Sequence, residues 1–143
     1  MEKNEIGIDL GTTNSVAATL NASGTAEVIP NSDGDYTTPS IVSYSGDQPV
    51  VGKGALPDAS LAPDYFVSCA KRSMGKRTKE EKLIPLILDP SGREITAIDV
   101  SAAILRYLKK CAEQYLGCEV KNVVVTVPAY FKEIARDDTI MAA

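Results

Sequence analysis

The 143-residue chain has the length of one ordinary domain, and its 44% hydrophobic and 24% charged residues are typical of a soluble globular protein. The net charge of -4 gives no reason to expect nucleic-acid binding, and no apolar run approaches the roughly 20 residues of a membrane span. Because the chain has no histidine and its three cysteines lack paired metal spacing, histidine-based general base catalysis and zinc sites are excluded for this chain acting alone.

The N-terminal residues 1–5 lead directly into a strand pattern, without the apolar segment of a signal peptide. The odd number of cysteines favours reduced thiols. Both features predict a cytoplasmic protein.

A β-hairpin is the first predicted element. Ile6, Ile8 and Leu10 recur with a period of two, which is typical of a strand with one buried face, and residues 15–20 predict its partner. Asp9 lies within the first strand, although aspartate is depleted in strand interiors. Its position therefore indicates a role other than packing.

The turn of this hairpin has the residue types of an anion site. Gly11 can adopt backbone angles closed to other residues and leaves room for a ligand beside the main chain. Exposed amides, with the hydroxyls of Thr12 and Thr13 and the side chain of Asn14, form an anion-binding concavity. The Asp9 carboxylate at its edge could hold a divalent cation through water, as magnesium prefers. The residues favour a phosphate cradle, with an ordinary hairpin and polar tip as the alternative.

Residues 26–30 predict a third, short strand, and residues 31–40 form a cluster of turn formers. Polar side chains at alternate positions of this cluster suggest a calcium loop. The glycine and the bidentate glutamate that such a loop requires would, however, fall at Tyr36 and Val42. The cluster is therefore interpreted as a structured loop.

Two further strands are predicted over residues 41–44 and 49–51, and two short helices over residues 54–60 and 65–74. The basic side chains that follow are typical of a solvated face. Lys71 is the exception, because apolar residues flank it and place it at the edge of an apolar patch.

The C-terminal half starts with a predicted hairpin over residues 83–89 and 94–96. A helix then begins at the N-cap Thr96, with Asp99 in the capping-box position, and ends at Gly117. Its predicted core-facing residues are Val100, Ile104, Leu108, Ala112 and Tyr115.

The β-branched run over residues 123–127 predicts a strand that is buried on both faces and covered by helices. Residues 131–143 predict the start of another helix. Because the chain ends inside this pattern without a cap, we expect it to be a fragment of a longer protein.

Four motifs, at residues 7–15, 38–40, 70–75 and 127–131, give the chain a resemblance to a known family. They read Gly-Ile-Asp-Leu-Gly-Thr-Thr-Asn-Ser, Thr-Pro-Ser, Ala-Lys-Arg with a later Gly, and Val-Pro-Ala-Tyr-Phe. The chain resembles the N-terminal part of the ATPase domain of DnaK-type chaperones, the seventy-kilodalton heat-shock class. Tyr36 and the short segment that precedes Thr96 look more like the HscC-type branch.

The resemblance implies an α/β fold of the ribonuclease H-like, actin-like ATPase type, with element order β-β-β-α-β-α. Residues 5–30 and 97–143 would form this lobe, and residues 31–96 a small inserted α/β subdomain.

For the site, the resemblance implies that Asp9 faces magnesium through water and that Lys71 holds the γ-phosphate and the attacking water. Thr12 and Thr13 would add hydroxyls for the phosphates or for ions, potassium among them. Pro128 and Arg136 would pass the nucleotide state to a peptide-binding domain. The residues that would wrap the β- and γ-phosphates are Gly11, Thr12, Thr13 and Asn14.

The resemblance also implies a parent protein that binds and hydrolyses ATP to ADP in order to control peptide binding and protein folding. Its partners would be client peptides, a J-domain protein and a nucleotide exchange factor. Residues 1–143 alone would lack useful turnover. The alternatives are a sugar or acid kinase of the same superfamily, and an actin-like or regulatory module that senses ATP without turnover. A further possibility is that the exposed half-interface makes the fragment self-associate.

Overall fold

The computed structural model describes residues 5–68 and 84–126, and all structural statements concern these residues. Two α-helices, α1 (Asp58–Leu61) and α2 (Ala97–Leu116), lie in them, and two 3-10 turns occupy Gly52–Ala55 and Pro63–Tyr65. The strands are β1 (Glu5–Leu10), β2 (Asn14–Leu20), β3 (Ala26–Ile29), β4 (Thr38–Pro39), β5 (Ile41–Ser43), β6 (Val50–Val51), β7 (Phe66–Ser68), β8 (Ile87–Leu88), β9 (Glu94–Ile95) and β10 (Asn122–Thr126).

The main sheet has the strand order β10-β1-β2-β3, and β4 also pairs with β2. The β1–β2 and β2–β3 pairs are antiparallel, whereas β1 and β10 are parallel. Ile6, Ile8 and Leu10 are almost fully buried and belong to the core together with residues of α2. The first three strands and the α/β fold class agree with the sequence prediction.

Helix α2 has the predicted ends. The Thr96 hydroxyl accepts a hydrogen bond from the Asp99 amide, and the Asp99 carboxylate accepts one from the Thr96 amide, which completes the capping box. Gly117 ends the helix in the left-handed conformation, with φ of 69°. The core-facing prediction is wrong at Tyr115, which is 45% exposed because its hydroxyl extends to the Glu27 carboxylate on β3.

A second sheet of three strands has the order β6-β5-β7, and β8 pairs with β9 as the predicted hairpin. The helix predicted over residues 65–74 is wrong where it can be tested, because Phe66–Ser68 is strand β7. Val67 is buried opposite Val42, so pairing with β5 satisfies the backbone that a helix would otherwise satisfy internally. Residues 69–74 lie outside the described residues.

Strand β10 is present, but the prediction of burial on both faces is wrong. Val123 is 37% exposed and Val124 is 63% exposed. Within the described residues β10 pairs with β1 alone, so it lies at the edge of this sheet. The predicted helix over 131–143 lies outside the described residues. Neither α1 nor α2 is both long and apolar enough to cross a bilayer.

Three loops share one self-contained turn, which starts at Asn21, Asn31 or Asp89. In each, the Oδ1 atom of the first residue accepts hydrogen bonds from the amides two and four residues later. The fourth residue is a glycine with positive φ, namely Gly24, Gly34 or Gly92. At Asn31 the side-chain amide also donates to the Thr37 carbonyl and the Thr38 hydroxyl, which confirms the predicted structured loop.

Candidate functional site

The structure brings the predicted phosphate-binding residues together on one hairpin. The last residue pair of the β1–β2 ladder is Leu10 with Ser15, and the turn comprises residues 11–13. Asp9 precedes this pair on β1, and Asn14 is the first residue of β2. The carboxylate, the two hydroxyls and the side-chain amide therefore belong to a segment of six residues. The other predicted site residues, Lys71, Pro128 and Arg136, lie outside the described residues.

Gly11 is required at the start of this turn by a close backbone contact. A Cβ atom at this position would lie 2.0 Å from the carbonyl oxygen of Asn14. The φ angle of Gly11 is not in the left-handed region, so this turn does not use the unusual backbone angles that a glycine can adopt. Close packing of the two hairpin arms is instead what excludes a side chain and brings the turn amides into a compact group.

Asp9 is exposed, and its orientation is set by the neighbouring parallel strand. The hydroxyl of Thr126 on β10 donates to Oδ1 of Asp9 over 2.9 Å, and the two residues are opposite each other in the β1–β10 register. Within the described parts of the chain, Oδ2 makes no hydrogen bond. One carboxylate oxygen is thus held by the protein and the other is available to a cation or its water shell.

Hydrogen-bonding groups also remain available at the tip of the turn. Thr12 is half-buried and makes no hydrogen bond to the residues that the structure describes, while the side chains of Thr13 and Asn14 are exposed. Amides and hydroxyls grouped in this way form a concave surface with positive partial charge. The arrangement is suited to an anion with several oxygen atoms.

Strand β4 holds the turn in place from the far side. The Ser40 amide donates to the Thr13 carbonyl over 2.9 Å, and the buried hydroxyls of Ser15 and Ser40 are hydrogen-bonded at 2.8 Å. Thr38, also buried, pairs with Ser15 in the β2–β4 register. Sequence reasoning missed this strand because Pro39 lies within a cluster of turn formers, although a proline is compatible with a short edge strand.

The donor set fits a phosphate chain with a hard cation. Phosphate oxygens accept from amides and hydroxyls, which residues 11–14 supply, and magnesium prefers oxygen ligands and usually keeps several waters, so that one carboxylate such as Asp9 is sufficient. The turn therefore has the composition and geometry of a phosphate cradle.

Comparison with known proteins identifies the family that the chain resembles. The family model described as Hsp70 protein matches residues 5–143. Among curated relatives, the chaperone protein DnaK of Thermotoga neapolitana is 43% identical over 141 residues, a match that covers 96% of the chain and 22% of the relative. The chain therefore spans about a fifth of the length of this relative.

Proposed function

The chain belongs to the Hsp70 family, and we propose that its β1–β2 turn holds the β- and γ-phosphates of magnesium-bound ATP in a chaperone ATPase. The observation that carries the proposal is the combination found at residues 9–14. A carboxylate with one free oxygen lies beside a turn whose hydroxyls and amides are available and whose backbone is braced from behind.

Each residue of the turn has a distinct task in this proposal. Thr12, Thr13 and Asn14 donate hydrogen bonds to the phosphate oxygens, and Thr12 also offers its hydroxyl to magnesium or potassium. Gly11 lets the phosphates approach the main chain. Asp9 binds the water shell of magnesium, while Thr126 keeps the carboxylate in one orientation. Magnesium neutralises charge on the phosphates when it is bound.

The chemistry asks for positioning and charge neutralisation, because phosphoryl transfer needs little covalent help from the protein. We propose that Lys71 supplies the second positive charge and holds the γ-phosphate and the attacking water. A lysine suits this task as a compact cation on a flexible stem. The absence of histidine in the chain is no obstacle, because no histidine is needed as a base here.

At the level of the whole protein, we propose a cytoplasmic chaperone in which ATP hydrolysis controls the binding of client peptides. A J-domain protein and a nucleotide exchange factor would act on this cycle, and Pro128 and Arg136 would transmit the nucleotide state. The lobe would comprise residues 5–30 and 97–143, with residues 31–96 as the inserted subdomain.

Residues 1–143 alone are expected to bind nucleotide weakly and to show no useful turnover. The chain spans about a fifth of its DnaK relative, so the base and the ribose would remain in water. Robust magnesium-dependent hydrolysis by residues 1–143 that is abolished by Lys71→Ala would contradict this expectation. The same assay on the whole protein separates a chaperone ATPase from a module that senses ATP without turnover.

The phosphate cradle is tested by recording backbone amide NMR shifts during titration with magnesium-ATP. We expect the amides of residues 11–14 to shift with ATP and not with AMP, which lacks the β- and γ-phosphates. Asp9→Asn keeps an acceptor for Thr126 but removes the charge, so the magnesium-dependent part of ATP affinity should fall roughly tenfold or more. Asp33→Asn, in an exposed self-contained turn, is the matched control. Equal effects of the two substitutions, or shifts that AMP reproduces, would contradict the cradle.

A further inference from the structure

A groove beside helix α2, on the side of strand β6, has the composition of an anion-binding surface. It has a volume of about 450 Å³ and lies between α2 and the short strand β6. Its helix side is formed by Ala103, Arg106, Tyr107 and Lys110, which recur with the spacing of one helical face. This face borders the core, since Ala103 belongs to the same buried cluster as Val100 and Ile104, whereas Arg106 and Lys110 are exposed.

Strand β6, on the other side of the groove, is only two residues long. Pro49 and Val51 form the wall opposite α2, and the 95%-buried Ala103 forms part of the floor. Tyr107 is half-buried and lines the groove. The result is an apolar trough with defined walls that is open to solvent on one side.

The charge of the groove is opposite to that of the chain. Arg106 and Lys110 are both exposed on its rim, no carboxylate lines it, and neither cation forms an ion pair within residues 5–68 and 84–126. The whole chain, in contrast, carries a net charge of -4. Two unpaired cations beside apolar surface favour an anionic occupant with apolar parts.

The geometry points to an extended acidic peptide segment of a partner protein as this occupant. Arg106 and Lys110 are one helical turn apart, so their side chains start about 5–6 Å from each other. Acidic side chains at alternate positions of an extended chain lie about 7 Å apart on one face. Such a segment can place one carboxylate on the guanidinium, which binds it through two parallel hydrogen bonds, and the next on the lysine. Flanking apolar side chains would then contact Pro49 and Val51.

This proposal is independent of the phosphate cradle, because the groove residues belong to α2 and β6 and not to the β1–β2 turn. It also differs from self-association. The Asp-Gly-Asp segment of the chain itself, residues 33–35, is folded into the Asn31 turn and is not extended. This segment of a second copy, as the described residues have it, does not offer the extended acidic chain that the groove fits.

The probe for the test is a fluorescein-labelled heptapeptide with Asp at alternate positions and Leu or Val between them. Its binding to the 143-residue chain is measured by fluorescence polarisation.

Arg106→Glu should weaken peptide binding at least tenfold, because it removes a charge-assisted pair. Lys110→Glu should weaken it about threefold. Lys121→Glu, an exposed cation outside the groove, makes the same change in net charge and should have little effect. The Asn version of the peptide should lose most of the binding.

A second measurement does not depend on the variants. Addition of the acidic peptide should shift the backbone amide signals of Val51, Ala103 and Tyr107, and leave those of residues 11–14 unchanged. The proposal is overturned if Arg106→Glu and Lys121→Glu weaken binding equally, if the Asn peptide binds as well, or if the groove signals do not move. It is also overturned if inorganic tripolyphosphate displaces the peptide with equal affinity, or if sedimentation shows that the chain dimerises through these residues.

Discussion

The two turns at the ends of β2 are both short and polar, but the partners of their hydrogen bonds differ. In the turn over residues 21–25, Asn21 accepts from the amides of Ser23 and Thr25, and the backbone bonds run between Asn21, Gly24 and Thr25. In the turn over residues 11–13, the bond to Thr13 comes from Ser40, a residue on another segment of the chain.

This difference separates a purely structural turn from the turn that we propose as the phosphate site. The turn at Asn21 uses its polar groups for its own closure, and no atom lies within 4 Å of a Cβ built on Gly24. The β1–β2 turn is held by β4 from behind, so its hydroxyls and the free oxygen of Asp9 need not serve its own closure. A braced turn with available donors is pre-organised for a ligand, which reduces the entropy that binding must offset.

The largest expected effect on stability comes from replacing the glycine of each turn, Gly11 or Gly24, by alanine. Gly11→Ala places a Cβ at 2.0 Å from a backbone oxygen, which cannot move aside as a flexible side chain can. We expect the free energy of unfolding to fall by about 3 kcal/mol or more. Gly24→Ala meets no atoms and has only the cost of its positive φ, about 1–2 kcal/mol. Urea unfolding measures both, and equal losses would show that the close contact at Gly11 is relieved without cost.

A medium effect is expected from the brace itself. Ser15→Ala or Ser40→Ala leaves one buried hydroxyl without its partner, so each should reduce the free energy of unfolding by about 1–3 kcal/mol. The double substitution should cost less than the sum, because no unsatisfied hydroxyl remains. Ser23→Ala in the exposed Asn21 turn is the control, with a change within about 0.5 kcal/mol. Strict additivity in the double-mutant cycle would contradict the proposed coupling of β2 and β4.

The smallest effect concerns the self-contained turns and depends on pH. The hydrogen bond from Ser91, followed by that from the Arg93 amide, lowers the pKa of Asp89. A lowered pKa in the folded state means that this stabilisation is present above the pKa of an unfolded Asp and is lost as the pH falls through the folded value. The protection of the Arg93 amide against hydrogen exchange should therefore decrease in acid.

The equivalent amide of Thr25, bonded to the uncharged Asn21, provides the internal reference for this measurement. Asp89→Asn keeps the acceptor oxygen and should remove the pH dependence. A ratio of protection factors at residues 93 and 25 that stays constant into acid would rule out the carboxylate as the cause.

Much of the candidate site could be predicted because its signals are local. The alternation of Ile6, Ile8 and Leu10 correctly predicted β1, and the polar turn that follows it gave the candidate phosphate site, which stays a prediction. The position of Lys71 stays a prediction. The sequence also contains a signal for the three self-contained turns, because each has an Asn or Asp followed three residues later by Gly.

The sequence predictions that the structure contradicts share another cause, which is contact with segments distant in sequence. Phe66–Ser68 is a strand because it pairs with β5. Val124 is exposed because β10 lies at the edge of the sheet. Tyr115 is exposed rather than buried in the core, and its hydroxyl is hydrogen-bonded to a carboxylate on β3. None of these partners is near in sequence. The periodicity of a segment shows which side chains can share a face, but it does not show which distant segment will cover that face.

The amino-acid sequence by itself determined the hairpin, the capped helix and the residue types of the cradle, because caps, turns and amphipathic patterns depend on groups a few residues apart. Only the tertiary structure decided that β4 braces the turn and that Thr126 orients Asp9. The hydroxyl bond of the brace joins residues that are 25 positions apart and the Thr126–Asp9 bond joins residues 117 apart, and such contacts exist only after the chain has folded.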